Sequence, residues 1–310
     1  MLFHVAFHLK PAARAAACWR ERKIMSDFKI IVDSACDLGV DELSKRGLIC
    51  LSLTFRFADE EKEYSQFDIS TSDFYAKMKS GAVAKTSAIN TESFAEAFRG
   101  VLEGGSDILY LGFSSGLSTT YNSARLAMLE VKDEYPERKI ILVDTLAASA
   151  GIALLADLVL EKKESGASIE ETAEYAEQLK LKIAHWFTVD DLVYLKRGGR
   201  ISPTLAFVGN LLGIKPVLHV DNEGHLVNVS KSRGRHASLV ALAEKIGNTA
   251  EKDSKVYISH GNCLDDAKNL ASIIEQKYGY KTQLITDVGP VIGAHSGPGT
   301  LALFFVASER

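Results

Sequence analysis

Short runs of β-branched and aliphatic residues alternate along the chain with stretches of helical periodicity. KIIVDS, DILYLGF and KIILVDT are each followed by a loop and a segment whose apolar positions recur at helical spacing. That alternation predicts βαβ units and a largely parallel sheet. Each run ends in small or polar residues, Asp33-Ser34, Ser114-Ser115 and Asp144-Thr145. Polar side chains are thereby gathered at the carboxyl edge of neighbouring strands, where open α/β sheets bind ligands. Helices are expected over Asp73 to Lys79, Thr91 to Leu102, Leu117 to Val131 and Ala147 to Lys162, several with Ser or Thr caps.

Turn formers collect at Glu164-Ser165-Gly166-Ala167-Ser168, and a domain boundary is expected there, separating 25–167 from 168–310. The second half reads differently. HWFTVDD is a strand leading to a turn at LKRGGRIS, a helix is expected from Pro203, and IKPVLHVDNEGHLVNVSKSR has the pattern of a hairpin turning at Asn222-Glu223-Gly224. A helix from His236, the strand KVYISHG, a helix from Leu264, the strand TQLITDV and the final LALFFV complete a mixed sheet covered by helices.

Composition narrows the class. The chain has 310 residues, 46% hydrophobic and 25% charged, which suits a globular protein of two ordinary domains. Its net charge of -4 gives no overall reason to seek a polyanion, so nucleic acid is not an expected partner. Cys18, Cys36, Cys50 and Cys263 are scattered, without metal-ligand spacing, and read as reduced thiols of a cytoplasmic protein. The apolar stretch from Leu146 contains Asp157 and is too short to span a bilayer, so no transmembrane segment is expected and it reads as a buried helix. Residues 1–24 are basic and Ala-rich. They lack a secretory apolar core, and Met25 directly precedes the first convincing strand, so they read as an upstream extension outside the fold.

Three loops could carry chemistry. In KTSAINTESF, Thr86 and Ser87 precede a helix opened by Asn90, an arrangement that suits either an anion or a simple helix cap. FSSGLSTTYNSA offers Ser114, Ser115 and Ser118 around Gly116, either a binding loop or a capped strand-to-helix turn, and it lacks both the P-loop lysine and the G-x-G-x-x-G spacing. GPVIGAHSGPG packs glycines and prolines around His295, implying a tightly turned loop that could hold a polar head group through backbone amides. Its centre is a histidine, so it fails the test for a nucleophile elbow. The remaining histidines show no metal-ligand spacing. Arginines cluster at Lys196-Arg197-Gly198-Gly199-Arg200 and again at Arg233 and Arg235. They suit pairing with phosphate or carboxylate, or a plain solvated face.

Seven segments in one order, IVDSACDL, KTSAINTESF, FSSGLSTTYNSA, VDTLAASAG, TVDDLVYLKRGGRIS, GIKPVLHVDNEG and GPVIGAHSGPG, resemble the DegV family over nearly the whole chain from Met25. The resemblance implies an N-terminal three-layer α/β/α domain with a mainly parallel sheet and a C-terminal α/β domain with a mixed sheet. It implies one long-chain fatty acid, such as palmitate, stearate or oleate, enclosed at their junction, with Thr86, Ser114, Ser115, Ser118 and His295 at its carboxylate; Ser118 is favoured as the nearest serine. By the same resemblance the protein is bacterial and cytoplasmic and uses no cofactor or metal. It is not itself an enzyme and has no catalytic residue. It presents the carboxylate to a separate ATP-binding fatty acid kinase subunit, and Arg200, with Arg233 or Arg235, helps that partner dock. The chain departs from the family's usual T-S-Q-P-S and S-S-G-L-S-G-T forms, carrying Ala88-Ile89-Asn90 and Thr119.

Two other readings remain open. One is a serine hydrolase using Ser118 or Ser296 with His295 or His260 as base. The other is a regulatory interaction module using the Arg200 and Arg233 region.

Overall fold

A computed structural model describes residues 27–201 and 213–310. The segment 1–24 and the helix expected from Pro203 lie outside the described residues. The three runs read first from the sequence are β1 (Phe28–Asp33), β6 (Asp107–Gly112) and β7 (Ile140–Asp144). With β2 (Ile49–Leu51) they form a wholly parallel sheet in the order β2-β1-β6-β7. Every residue of β6 is buried, which accounts for its unbroken apolar run. Helices α3 (Thr91–Glu103) and α4 (Thr120–Val131) pack together on this sheet, as do α5 (Ala150–Glu164) and α6 (Ile169–Leu179), giving three layers.

The second sheet is mixed. Its strands are β8 (Ile183–Thr188), β9 (Ile214–Val220), β10 (Leu226–Arg233), β11 (Val256–His260), β12 (Thr282–Asp287) and β13 (Leu301–Val306), ordered β10-β9-β8-β13-β11-β12. Helices α8 (Arg235–Thr249) and α9 (Leu264–Tyr278) close one face over a core that includes Leu242, Ile258 and Phe305. The other face receives α5, which touches β8, β11 and β13 as well as β6 of the first sheet. Lying between two sheets, α5 is apolar almost all round. The half-buried Asp157 on this helix is held by a forked pair with Arg46 of α1 (Val40–Arg46), at 2.7 and 3.1 Å, and by the hydroxyl of Tyr257. This satisfies the demand that a charge inside a core be paired.

Several expectations are corrected. Helices α2 (Thr71–Lys79), α4 and α5 begin two or three residues away from the positions read from sequence. For α4 the reason is that Leu117 and Ser118 donate their backbone amides back to Ser114 in a turn that precedes the helix. A short helix, α7 (Val193–Arg197), runs into the start of the LKRGGRIS segment, and the expected turn follows it at Gly198-Gly199. The Gly/Pro-rich loop around His295 contains a helix, α10 (Pro290–Ser296), with proline in its first turn, where a missing amide proton does no harm. Helix α6 packs on α5 and β7 of the first layer.

A third, small antiparallel sheet has no counterpart in the sequence reading: β4-β3-β5, from β3 (Thr54–Phe57), β4 (Tyr64–Ser65) and β5 (Ala84–Ser87). Its inner face and α2 share an aromatic core in which the Phe55 and Phe74 rings meet edge to face at 5.2 Å. Ala294 of α10 enters the same core, so the small sheet is fastened to the helix that carries His295.

Candidate functional site

A cavity of about 470 Å3 opens where the three sheets meet, within the range of small-molecule sites. Its wall is mostly apolar, drawing Leu53 and Phe113 from the first layer, Phe187 and Phe304 from the second sheet, and Val291 and Ile292 from α10. Thr86, Ser115, Ser118, Arg200, His295 and Ser296 also line it.

Thr86 lies on β5 rather than on the cap-like loop expected from sequence. Antiparallel pairing sets it opposite Phe55 of β3, and its Oγ1 is 2.7 Å from His295 Nε2. Burial pushes the His295 imidazole down to about 4, and the neighbouring Arg200 cation adds to the effect; the ring is neutral at physiological pH. It fits because Gly198 has no side chain: a Cβ there would stand 2.2 Å from His295 Nδ1.

The serines separate. Ser118 lines the cavity, with its Oγ 2.9 Å from Thr120 Oγ1 and accepting from the Thr120 amide at 3.2 Å. Ser115 is exposed at the rim, its amide donating to Asp144 Oδ1 at 3.2 Å. Ser114 is fully buried away from the cavity, and its hydroxyl donates to the Gly224 carbonyl at 2.9 Å. Its role is to join the first layer to the β9–β10 hairpin. Gly116 serves the same junction, since a Cβ there would lie 2.8 Å from the Glu223 carbonyl oxygen. The close backbone approach expected of this glycine is made to protein.

The three arginines also part company. Arg200, expected on a docking face, is a half-buried part of the cavity wall. Its Nε and Nη2 donate to the Leu117 carbonyl at 3.2 and 3.0 Å, bracing the loop that carries Ser118. Arg233 is exposed at the end of β10. Arg235 is tied to Asp266, with Nε donating to Oδ2 at 2.8 Å, and stands 3.8 Å from Asp190. Its charge is therefore largely neutralised within the protein.

His185 of β8 also lines the cavity, and its Nδ1 donates to the Ile183 carbonyl at 2.8 Å. Arg310 donates to that same carbonyl and to those of Leu146, Lys180 and Asp221, fastening loop, hairpin and sheet together beyond His185. No local pattern signals this contact, which depends on the fold bringing four distant carbonyls around one guanidinium. The site thus combines an apolar chamber with a cluster of hydroxyls, a neutral imidazole and one cation. It is suited to holding an amphiphile whose polar end accepts hydrogen bonds.

The model of the DegV family, described as uncharacterised proteins, matches residues 27–308. The chain belongs to the DegV family. A DegV domain-containing protein of Clostridium perfringens is 40% identical to it over 92% of this chain and 99% of that protein. A protein of Thermotoga maritima named as a fatty acid-binding protein is 34% identical over 91% of this chain and 98% of its own length. Among solved structures, a DegV lipid binding protein of Thermotoga maritima superimposes with a TM-score of 0.81 at 31% identity, covering 92% of this chain and 99% of that one. The two-domain α/β architecture is thus a family property, and the cavity lies in a fold whose members include lipid binders. Among the described residues, no helix is long and apolar enough to cross a membrane.

Proposed function

We propose that the protein binds one long-chain fatty acid, such as palmitate, stearate or oleate, with the acyl chain in the apolar chamber. Its carboxylate would lie at Thr86, Ser118 and His295, with Ser115 at the rim. The observation that carries this reading is the polarity of the cavity: a mostly apolar wall with hydroxyls beside a half-buried arginine. Each buried methylene contributes roughly 0.8 kcal/mol, so a long acyl chain supplies ~10 kcal/mol before ordering costs. The tail provides affinity. The hydroxyl donors keep the enclosed carboxylate ionised and orient it.

In the same reading the carboxylate is presented to a separate ATP-binding kinase subunit in the cytoplasm, which converts it to an acyl phosphate. Arg233, exposed on β10, is the preferred docking arginine, whereas Arg200 acts at the ligand end. The motif resemblance and the exposed rim beside Ser115 support this half of the proposal. The hydrolase reading draws no support from the site, where His295 Nε2 engages Thr86 and Ser118 engages Thr120.

Native mass spectrometry of the purified protein, followed by lipid extraction, tests the binding half. One adduct at a fatty-acid mass is expected; an empty protein that also ignores added oleate and palmitate would refute it. For the presenting half, purified kinase subunit, ATP and the loaded protein should yield acyl phosphate. Arg233→Glu should lower that yield without altering fatty-acid affinity, and an unchanged yield would remove Arg233 from the docking face.

A further inference from the structure

Three buried polar atoms on the cavity wall have no hydrogen-bond partner: His185 Nε2, His295 Nδ1 and Ser296 Oγ. Such groups are rare in folded proteins because each forfeits its hydration without recompense. The two ring nitrogens are accounted for by packing. His185 Nε2 abuts Gly151, where a Cβ would lie 2.1 Å away, and His295 Nδ1 abuts Gly198, where it would lie 2.2 Å away. No glycine stands against the Ser296 hydroxyl in this way, although its oxygen is as fully buried as the two ring nitrogens. Its residue is 5% exposed, and the oxygen does not take the customary helical alternative of donating to the carbonyl four residues back.

Helix α10 turns one face to the cavity through Val291, Ile292, His295 and Ser296. Two apolar residues are followed, one turn or about 5.4 Å later, by two polar ones. An amphiphile lying along this face would meet apolar contacts at its chain and donors at its head. His295 already reaches Thr86, so the neighbouring hydroxyl falls at the same end.

We propose that Ser296 is a further ligand of the bound carboxylate, donating its hydroxyl proton to the oxygen that Thr86 and Ser118 leave unfilled. This rests on the fatty-acid reading given above. An ionised carboxylate offers about four lone-pair sites, so a third hydroxyl finds a place without displacing the other two.

The test compares oleic acid with oleyl alcohol, ligands of one chain that differ in the head group, on the wild type, Ser296→Ala and Ser296→Thr. Ser296→Ala should weaken oleic acid roughly tenfold or more while leaving oleyl alcohol within about twofold, and Ser296→Thr should restore the acid. Equal losses for both ligands would assign Ser296 to packing and overturn the proposal, as would an unchanged affinity for the acid. Circular dichroism and the melting temperature of each variant identify a folding defect, in which case Ser296→Thr alone decides by its acid-to-alcohol ratio: a ratio matching wild type supports the role, and a collapsed ratio overturns it. A wild type that binds neither ligand would instead refute the fatty-acid reading itself.

Discussion

Thr86 and His295, 209 positions apart in sequence, meet at 2.7 Å between Oγ1 and Nε2. A neutral imidazole carries one ring proton. With His295 Nδ1 packed against Gly198 and without a partner, the proton belongs on Nε2, because unsatisfied buried donors are rarer than unsatisfied acceptors. Nε2–H then donates to Thr86 Oγ1, and the threonine hydroxyl keeps its own proton for the ligand. Thr86→Val removes that donor while nearly preserving shape. Since a hydrogen bond to a charged group is worth about 1.5–3 kcal/mol, fatty-acid affinity should fall roughly 10- to 150-fold by isothermal titration. An unchanged affinity would exclude Thr86 from the carboxylate site.

The titration of His295 should report ligand occupancy. Burial and Arg200 hold it at about 4, down from an ordinary 6.5. A folded value below the unfolded one contributes stability that is present above pH 6.5 and is lost as the pH falls towards 4, where the folded ring must also take a proton. A carboxylate bound alongside favours the imidazolium, so the midpoint should rise when fatty acid is added. Imidazole nitrogen shifts measured by NMR between pH 3.5 and 7, with and without oleate, check this. Coincident titration curves would place the carboxylate elsewhere.

The parallel sheet was legible because β1, β6 and β7 are continuous apolar runs whose composition states both strand and burial. The small sheet was not. Thr54–Phe57 and Ala84–Ser87 are four residues each and Tyr64–Ser65 only two, and Lys85-Thr86-Ser87 has the polarity of a loop. Their strand state comes from pairing across some thirty residues of sequence and from the Phe55–Phe74 core, which local pattern does not encode. Site residues divide on the same ground. Thr86, Ser118 and His295, which their motifs single out, line the cavity, whereas Ser114 carries the same motif signal and turns away to bond Gly224. Hydroxyl-rich spacing states which residues are near the strand edge; only the loop's docking on the β9–β10 hairpin decides which of them face the cavity.

Asp37 predicts a pH dependence of opposite sense. Its fully buried carboxyl lies 2.5 Å from Ser149 Oγ, accepts from the Gly289 amide at 2.9 Å, and connects through Ser149 to Ser259 Oγ at 2.8 Å. Burial, with lesser contributions from Asp287 and Asp33, pushes it up from 3.8 to about 8. Between those values the unfolded chain has released the proton and the folded chain retains it. The group's contribution is therefore full below about pH 4, declines as the pH rises, and is exhausted above about pH 8. Asp37→Asn keeps an acceptor for Gly289 and a donor for Ser149 but cannot titrate. The melting temperature of Asp37→Asn relative to wild type should climb steadily from pH 5 to pH 8, and parallel curves for the two proteins would show that Asp37 is ionised in the fold.

Gly198→Ala isolates the seat of His295. The backbone at Gly198 has φ -72 and ψ -12, ordinary helical values, so alanine brings no conformational strain. The nearest conflict is with the imidazole, whose Nδ1 would be 2.2 Å from the new Cβ. Overpacking of this kind costs about 1–3 kcal/mol. A ring that yields by swinging away from Thr86 loses its contact there, so fatty-acid affinity should fall along with stability. The same substitution made in a His295→Ala background meets no ring, and both penalties should then shrink to a few tenths of a kcal/mol. Chemical denaturation and oleate titration of the four proteins in this cycle measure the coupling directly. Additive effects would mean that Gly198 is required for some reason other than the placement of His295.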